Sequence, residues 1–286
     1  MISPLTLSKK FVTVCILSVS VYSNTSWADA NSSTEVYRFG VVPQQSASQL
    51  ATLWVPFIKK IRELSGVNIK FETATNIPIF EKRVGKKHYD FVYMNPYHYV
   101  VAHDLVGYQA LVREKNKKIK GILVVKKNGG IRSVHDLEKK RLAFPSIAAF
   151  AATIIPSNSL KKKQISIKAN YVASHDSVYK TVSMGLYDAG GGIRRTYNAL
   201  DKVIRDQLEI IWESRGHTPH AFAVKPGISP DVINKIQQAM LALSNDPEGR
   251  EILTQLRFNP LIKAHDSDWN DIREMKIDDP TNISPN

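Results

Sequence analysis

The feature that most limits the fold is a strand-to-helix order that runs three times and then starts again. Residues 36–42 alternate towards a buried strand, Pro43 and the polar run 44–48 open a helix reaching about Ser65, and Gly66 closes it. Residues 67–73 form a second strand, followed by a helix primed by Pro78, and 89–94 form a third strand that runs into a helix over 95–103. Strands separated by helices in this way pair in parallel through right-handed crossovers. Strands over 108–112 and 119–126 flank a lysine-rich turn, where the chain is expected to cross into a second lobe. There the order restarts. Strands 141–144, 167–172 and 187–190 lead into helices over 149–160, 176–185 and 193–201. A strand over 208–212 follows, and 220–225 returns to the first lobe. From Ser229 the chain reads as mostly helical, with start signals at Ser229-Pro230-Asp231 and Asp246-Pro247-Glu248, and 278–286 read as a loose tail.

The expected architecture is therefore two α/β lobes, 31–117 with 221–286 and 118–220, joined by a two-segment hinge with a cleft between them. Four strand-to-helix turns converge on that cleft: 43–48, 93–97, 145–151 and 173–176. Helix starts carry unpaired N–H groups and the positive end of the helix dipole, so such turns can receive an oxyanion without a charged side chain. Ordinary α/β packing also produces such turns.

The first residues have a different character. Lys9 and Lys10 precede an apolar run over 11–21, and small residues follow at Ser26, Ala28 and Ala30, the order of a secretory signal peptide. Residues 1–28 are expected to be removed, with cleavage after Ala28 or Ala30, placing the protein in a bacterial periplasm. The apolar run is shorter than the roughly 20 residues a membrane-spanning helix needs. The single cysteine, Cys15, lies inside it, so disulfides, thiolate metal sites and cysteine nucleophiles are all excluded from the exported chain. Export lowers the formal net charge from +13 to +11, since Lys9 and Lys10 leave with no acid. A basic chain in an exported protein points away from nucleic acid and towards anionic ligands or membrane faces. The lysines of 115–120 and 161–163 are also explained as solvated turns.

Few residues carry the marks of chemistry. Ser174-His175-Asp176 holds the residue types of a hydrolytic triad, but neighbours in sequence diverge and cannot bond one another as a triad. Helix capping accounts for Ser174 and Asp176, and His175 is expected to project into the cleft. The histidines lack metal-site spacing; His217 and His220, interrupted by Pro219, are the only weak pair. Gly190-Gly191-Gly192 lacks the lysine of a nucleotide loop and reads as a close backbone approach or a tight turn. Arg194 and Arg195 follow it, where a guanidinium could grip an oxyanion or simply face solvent. Of the tyrosines after the third strand, Tyr93 and Tyr97 are the candidates to reach a ligand. No enzyme activity and no cofactor are expected.

Phe39-Gly40-Val41-Val42-Pro43, Tyr89-Asp90-Phe91-Val92-Tyr93, Asn95-Pro96, Ile131-Arg132-Ser133-Val134-His135-Asp136-Leu137 and Leu186-Tyr187-Asp188-Ala189-Gly190 together resemble the phosphate/phosphite/phosphonate-binding protein family of ABC transporters. The likeness spans nearly the whole mature chain. It implies a two-lobed solute-binding fold of the type II periplasmic kind, which closes on a small anionic ligand and delivers it to an inner-membrane ABC permease. Within the resemblance His175 matches the family's ligand histidine. Where phosphonate binders carry Ser-Thr-Ser-Gly, aligned by Pro156, this chain has Ala149-Phe150-Ala151-Ala152. The acids that hold a ligand amine in the family fall at Arg195 and His220, and two expected tyrosines fall at Ile77 and Met94. The resemblance thus implies a site of Tyr93, Tyr97, Ala149, Phe150, Ala151, His175, Arg195 and His220 that disfavours amines. The altered lining leaves an alternative partner, the periplasmic domain of a membrane sensor kinase, and a further reading as an interaction surface that no longer binds a ligand.

Overall fold

Two mixed sheets account for the eleven strands of the described residues, which in this computed structural model are 1–4 and 35–285. The expected signal segment and Cys15 lie outside them apart from the first four residues. In the first sheet β1 (Tyr37–Val41), β2 (Ile69–Thr73) and β3 (Phe91–Met94) are parallel, with β1 in the middle. Beyond β3 the sheet continues through β10 (Ala221–Val224), β4 (Gln109–Glu114) and β11 (Leu261–Lys263), all antiparallel to their neighbours. The second sheet repeats the parallel unit with β6 (Arg141–Phe144) between β7 (Lys168–Tyr171) and β8 (Ala189–Ile193). It continues through β5 (Gly121–Lys126) to β9 (Leu208–Glu213), both antiparallel. Each sheet with its helices is a lobe, the first sheet's being lobe 1.

The local sequence explains why these segments start and stop where they do. Helix α1 (Ala47–Ser65) begins where the Ser46 side chain accepts from Gln49 N–H and ends at Gly66, whose positive φ of 69° only glycine adopts at little cost. Asn76 caps α2 (Ile77–Gly85) and Asn95 caps α3 (Pro96–Val106), each followed by a proline in the first turn. Lobe 1 buries Phe39, Trp54, Phe57 and Phe222 as one aromatic cluster with ring centroids 5.3–6.2 Å apart. In lobe 2 the period of two along β5 decides the packing: Ile122 and Val124 face the helix α5 (His175–Ser183), whereas Leu123 and Val125 face Leu137, Leu142, Phe144 and Leu160 on the other side.

The chain passes between lobes twice, over 115–120 and 214–220. The two passes lie side by side, joined by Ile119 N–H to His217 O at 2.8 Å and His217 N–H to Ile119 O at 2.9 Å. Four expectations need correction. Residues 261–263 form an edge strand within the stretch read as helical, because pairing with β4 overrides local preference. The helix expected from Ala149 opens with a π-helical turn, Phe150–Ile154, before α4 (Ile155–Lys162). The helix expected over 193–201 is two short pieces, α6 (Arg194–Asn198) and a turn over Lys202–Arg205. Finally, the tail is not loose: Asn282 donates twice to Glu81, and Ile283 is buried in the lobe 1 core.

Candidate functional site

The glycine run is the interior of a strand, and its lack of side chains builds the site. Gly190, Gly191 and Gly192 lie in β8; a Cβ on Gly191 would sit 1.9 Å from Ala152 O, and one on Gly192 would sit 2.1 Å from Tyr179 Oη. The π-helical turn therefore rests directly on the strand, as the close-approach reading required. Thr153 ties the turn off: its N–H donates to Ala149 O at 2.7 Å and its hydroxyl to Ser146 O at 2.7 Å. The N–H groups of Phe150, Ala151 and Ala152, the first in the helix, have no intrahelical acceptor.

Those residues share a small cavity between the lobes with Ala149, His175, His220, Gln44, Asn95 and Ile77. About 10 Å³ of it is open to the centre of a water molecule, room for one water. Protein groups hold the lobes together around it. Gln44 O accepts from His175 N–H at 3.0 Å, Ser46 N–H donates to Asp176 Oδ2 at 3.1 Å, and Asn95 Nδ2 donates to Ala148 O at 3.3 Å. Ser174 is the helix cap expected, accepting from Ser177 N–H, while Asp176 reaches across to the other lobe instead.

His175 Nδ1 lies 3.0 Å from Thr196 Oγ1, a hydroxyl that also lies 2.9 Å from Tyr179 Oη and 3.1 Å from Ile193 O; with its one proton directed at Ile193 O, the imidazole is the Nδ1–H tautomer. Burial pushes the imidazole down to about 3, and it is neutral at ordinary pH. In that tautomer Nε2 is a bare acceptor, with no protein hydrogen-bond partner among the described residues. His220 is also held well below its usual value, by burial first and then by the Arg195 charge. Gln44 Nε2 donates to His220 Nε2 at 2.9 Å, which leaves Nδ1–H on its far side. Tyr93 stacks on the His220 ring with centroids 4.9 Å apart and planes 13° apart.

Three candidates do not line this cavity: Tyr93, which sits behind the His220 ring, Tyr97 and Arg195. Tyr97 turns away, its hydroxyl donating to Ile277 O, so it anchors the C-terminal segment. Arg195 reaches from lobe 2 into lobe 1, where it donates to Glu114 Oε1 and to the Tyr93 hydroxyl and lies 4.4 Å over the Phe258 ring. Burial opposes its charge, but Tyr93 and Glu114 outweigh that and raise its pKa. The guanidinium expected to clamp an anion already has a carboxylate. The cavity is thus lined by neutral donors and one neutral acceptor. Gln44 and Asn95 lie in turns expected to face the cleft but were not singled out as site residues, and Thr196 and Glu114 carried no local signal. Among the described residues no group of histidines and acids could hold a metal ion.

A family model described as the ABC transporter, phosphonate, periplasmic substrate-binding protein matches residues 39–269. The chain belongs to this family. Its fold is that of PhnD1 from Prochlorococcus marinus, solved with methylphosphonate, at 20% identity and a TM-score of 0.78, covering 85% of this chain and 97% of that one. A binding component of an ABC phosphonate transporter from Pseudomonas aeruginosa matches at 16% identity and 0.79, covering 85% and 86%. A Xanthomonas citri protein solved with chloride matches at 15% and 0.65, covering 84% and 95%. The phosphonate-binding family is a periplasmic solute-binding component of transporters, with the type II two-lobed fold described above. Nothing in these likenesses supports the sensor-kinase alternative. No helix among the described residues is long and apolar enough to cross a membrane.

Proposed function

We propose that this chain is a periplasmic solute receptor that closes on a small oxyanion of the phosphonate or phosphate kind, in a form that keeps one O–H, and presents it to an inner-membrane ABC permease. The cavity as it stands has room for one water, so the lobes must part further to seat the solute; the observation that carries this reading is the pairing of opposite hydrogen-bonding demands in its lining. Phe150, Ala151 and Ala152 offer N–H donors for unprotonated oxygens, while His175 Nε2 offers a lone pair that only an O–H can satisfy. A fully deprotonated oxyanion would set charge against that lone pair unless the imidazole took up a proton. Among the described residues no carboxylate lines the cavity, and Glu114, outside it, is already bound to Arg195, so aminophosphonates bind weakly. Chemistry is not catalysed; the lobes bind, shield and release.

Thermal unfolding with added solutes tests this, because a ligand of the folded state raises Tm. Methylphosphonate at 100 times its Kd is expected to stabilise by about 2.7 kcal/mol, with 2-aminoethylphosphonate far less effective. No shift with methylphosphonate or phosphate at millimolar concentration contradicts the reading.

A further inference from the structure

Beside the cavity, on the hinge side, lies a second and larger space of about 280 Å³ that the proposed head-group contacts do not use. It shares Ile119, Ile193 and His220 with the cavity lining, so the two adjoin across those three side chains. Its outer wall is basic. Lys117, Lys118 and Lys120 come from the first chain crossing and Arg194 from the start of α6. One carboxylate, Glu213, answers this group, and it is shared by Lys120 at 2.8 Å and Arg194. Lys117 and Lys118 pair with no carboxylate among the described residues, and Arg195 at the inner corner is neutralised by Glu114. Four cations against one anion leave an excess of positive charge in a space that shares a wall with the solute cavity. The turn lysines that looked like ordinary solvated residues are therefore gathered at one mouth by the two adjacent crossings.

We propose that this basic vestibule is a second anion subsite, and that the preferred solute carries two anionic groups: an oxyanion head in the cavity and a second acid, such as a carboxylate on a short carbon chain, held by Lys117 and Lys118. The inference rests on the solute-receptor reading above. The passage for the connecting carbons runs between Ile119, Ile193 and His220, which form the wall the two spaces share and part to admit the solute. This passage suits a short unbranched linker with no amine.

The test compares methylphosphonate with 3-phosphonopropionate by calorimetric titration at 150 mM salt, on the natural chain and on Lys117→Gln/Lys118→Gln. Lys118 is exposed and Lys117 partly so, and the proposed head-group contacts do not involve them, so the double variant keeps the fold and the affinity for methylphosphonate. The natural chain is expected to bind the phosphonocarboxylate about tenfold more tightly, the scale of one charge-assisted contact. The double variant is expected to lose that preference alone. Equal affinity of the natural chain for the two solutes overturns the subsite. So does a double variant that weakens both solutes equally, which marks the lysines as a general attractor of anions. If neither solute binds the natural chain, the receptor reading fails first, and that result differs from a chain that binds methylphosphonate without preference.

Discussion

Arg195→Ala is expected to destabilise the fold more than it weakens solute binding. Glu114 is 1% exposed at its side chain and Arg195 15%. Removing the guanidinium leaves a carboxylate in the lobe interface with one remaining bond, from Asn259 N–H at 3.1 Å. Breaking a buried pair by deleting one partner costs about 3–5 kcal/mol, and the surviving Asn259 bond places this case near the lower figure. The stacked contact with Phe258 adds about 0.5–1 kcal/mol. At about 2–4 °C per kcal/mol for a chain of this length, Tm falls by roughly 6–15 °C. In the double variant Glu114→Gln/Arg195→Ala the stranded charge is gone, so at least half of the loss returns, and methylphosphonate affinity stays within about threefold of the natural chain. The assay is thermal unfolding of the four proteins of the cycle, followed by titration of the double variant. A single variant within about 2 °C of the natural chain refutes the buried-pair argument. Loss of solute binding in a stable double variant would show that Arg195 grips the ligand after all.

Other outcomes follow from the same contacts. His175 and His220 are neutral in the fold but titrate near 6.5 when unfolded, so their contribution is complete above that pH and is lost as pH falls, for His175 towards the folded value of about 3 that its burial sets. Urea unfolding is expected to show stability dropping between pH 6.5 and 5 by about 1.4 kcal/mol per pH unit for each histidine, and a flatter profile in His175→Gln/His220→Gln; an unchanged profile contradicts the assignment. Gly191→Ala drives a Cβ into Ala152 O and is expected to cost about 3 kcal/mol or more and to weaken methylphosphonate binding, seen by the same titrations. Ending the chain after residue 280 removes buried Ile283 and both Asn282 bonds to Glu81, for a loss of about 3–5 kcal/mol in denaturant unfolding; a truncation without effect would restore the reading of a loose tail.

The doubled strand-to-helix order was legible because each element carries its own local signals: a continuous apolar run along β5, which is buried on both faces, prolines in the first turns after Asn76 and Asn95, glycine after α1. Such signals are silent about partners far away in the chain. The three residues of β11 become a strand only because β4 offers an edge, and Ile283 is ordered by a core built 200 residues earlier. Within the site, His175 and the 149–151 turn were expected because they follow strand ends; His175 alone matches the family pattern, and 149–151 and His220 were marked as departures from it. Arg195 was read from its place beside the cleft, yet its function depends on Glu114, 81 residues earlier. Tyr97 failed for a simpler reason: α3 rotates its side chain towards Ile277, which periodicity after a four-residue strand does not reveal.

The central claim is that the cavity recognises an oxyanion through neutral donors together with an O–H taken by His175 Nε2. Calorimetric titration of methylphosphonate against methanesulfonate tests it most directly, because the two share size and tetrahedral shape but the sulfonate has no O–H at neutral pH. The account predicts one solute per chain, at least about tenfold tighter binding of methylphosphonate, the scale of one hydrogen bond to a buried group, and loss of that preference in His175→Ala. Equal affinity for the two solutes, or a preference that survives His175→Ala, contradicts it.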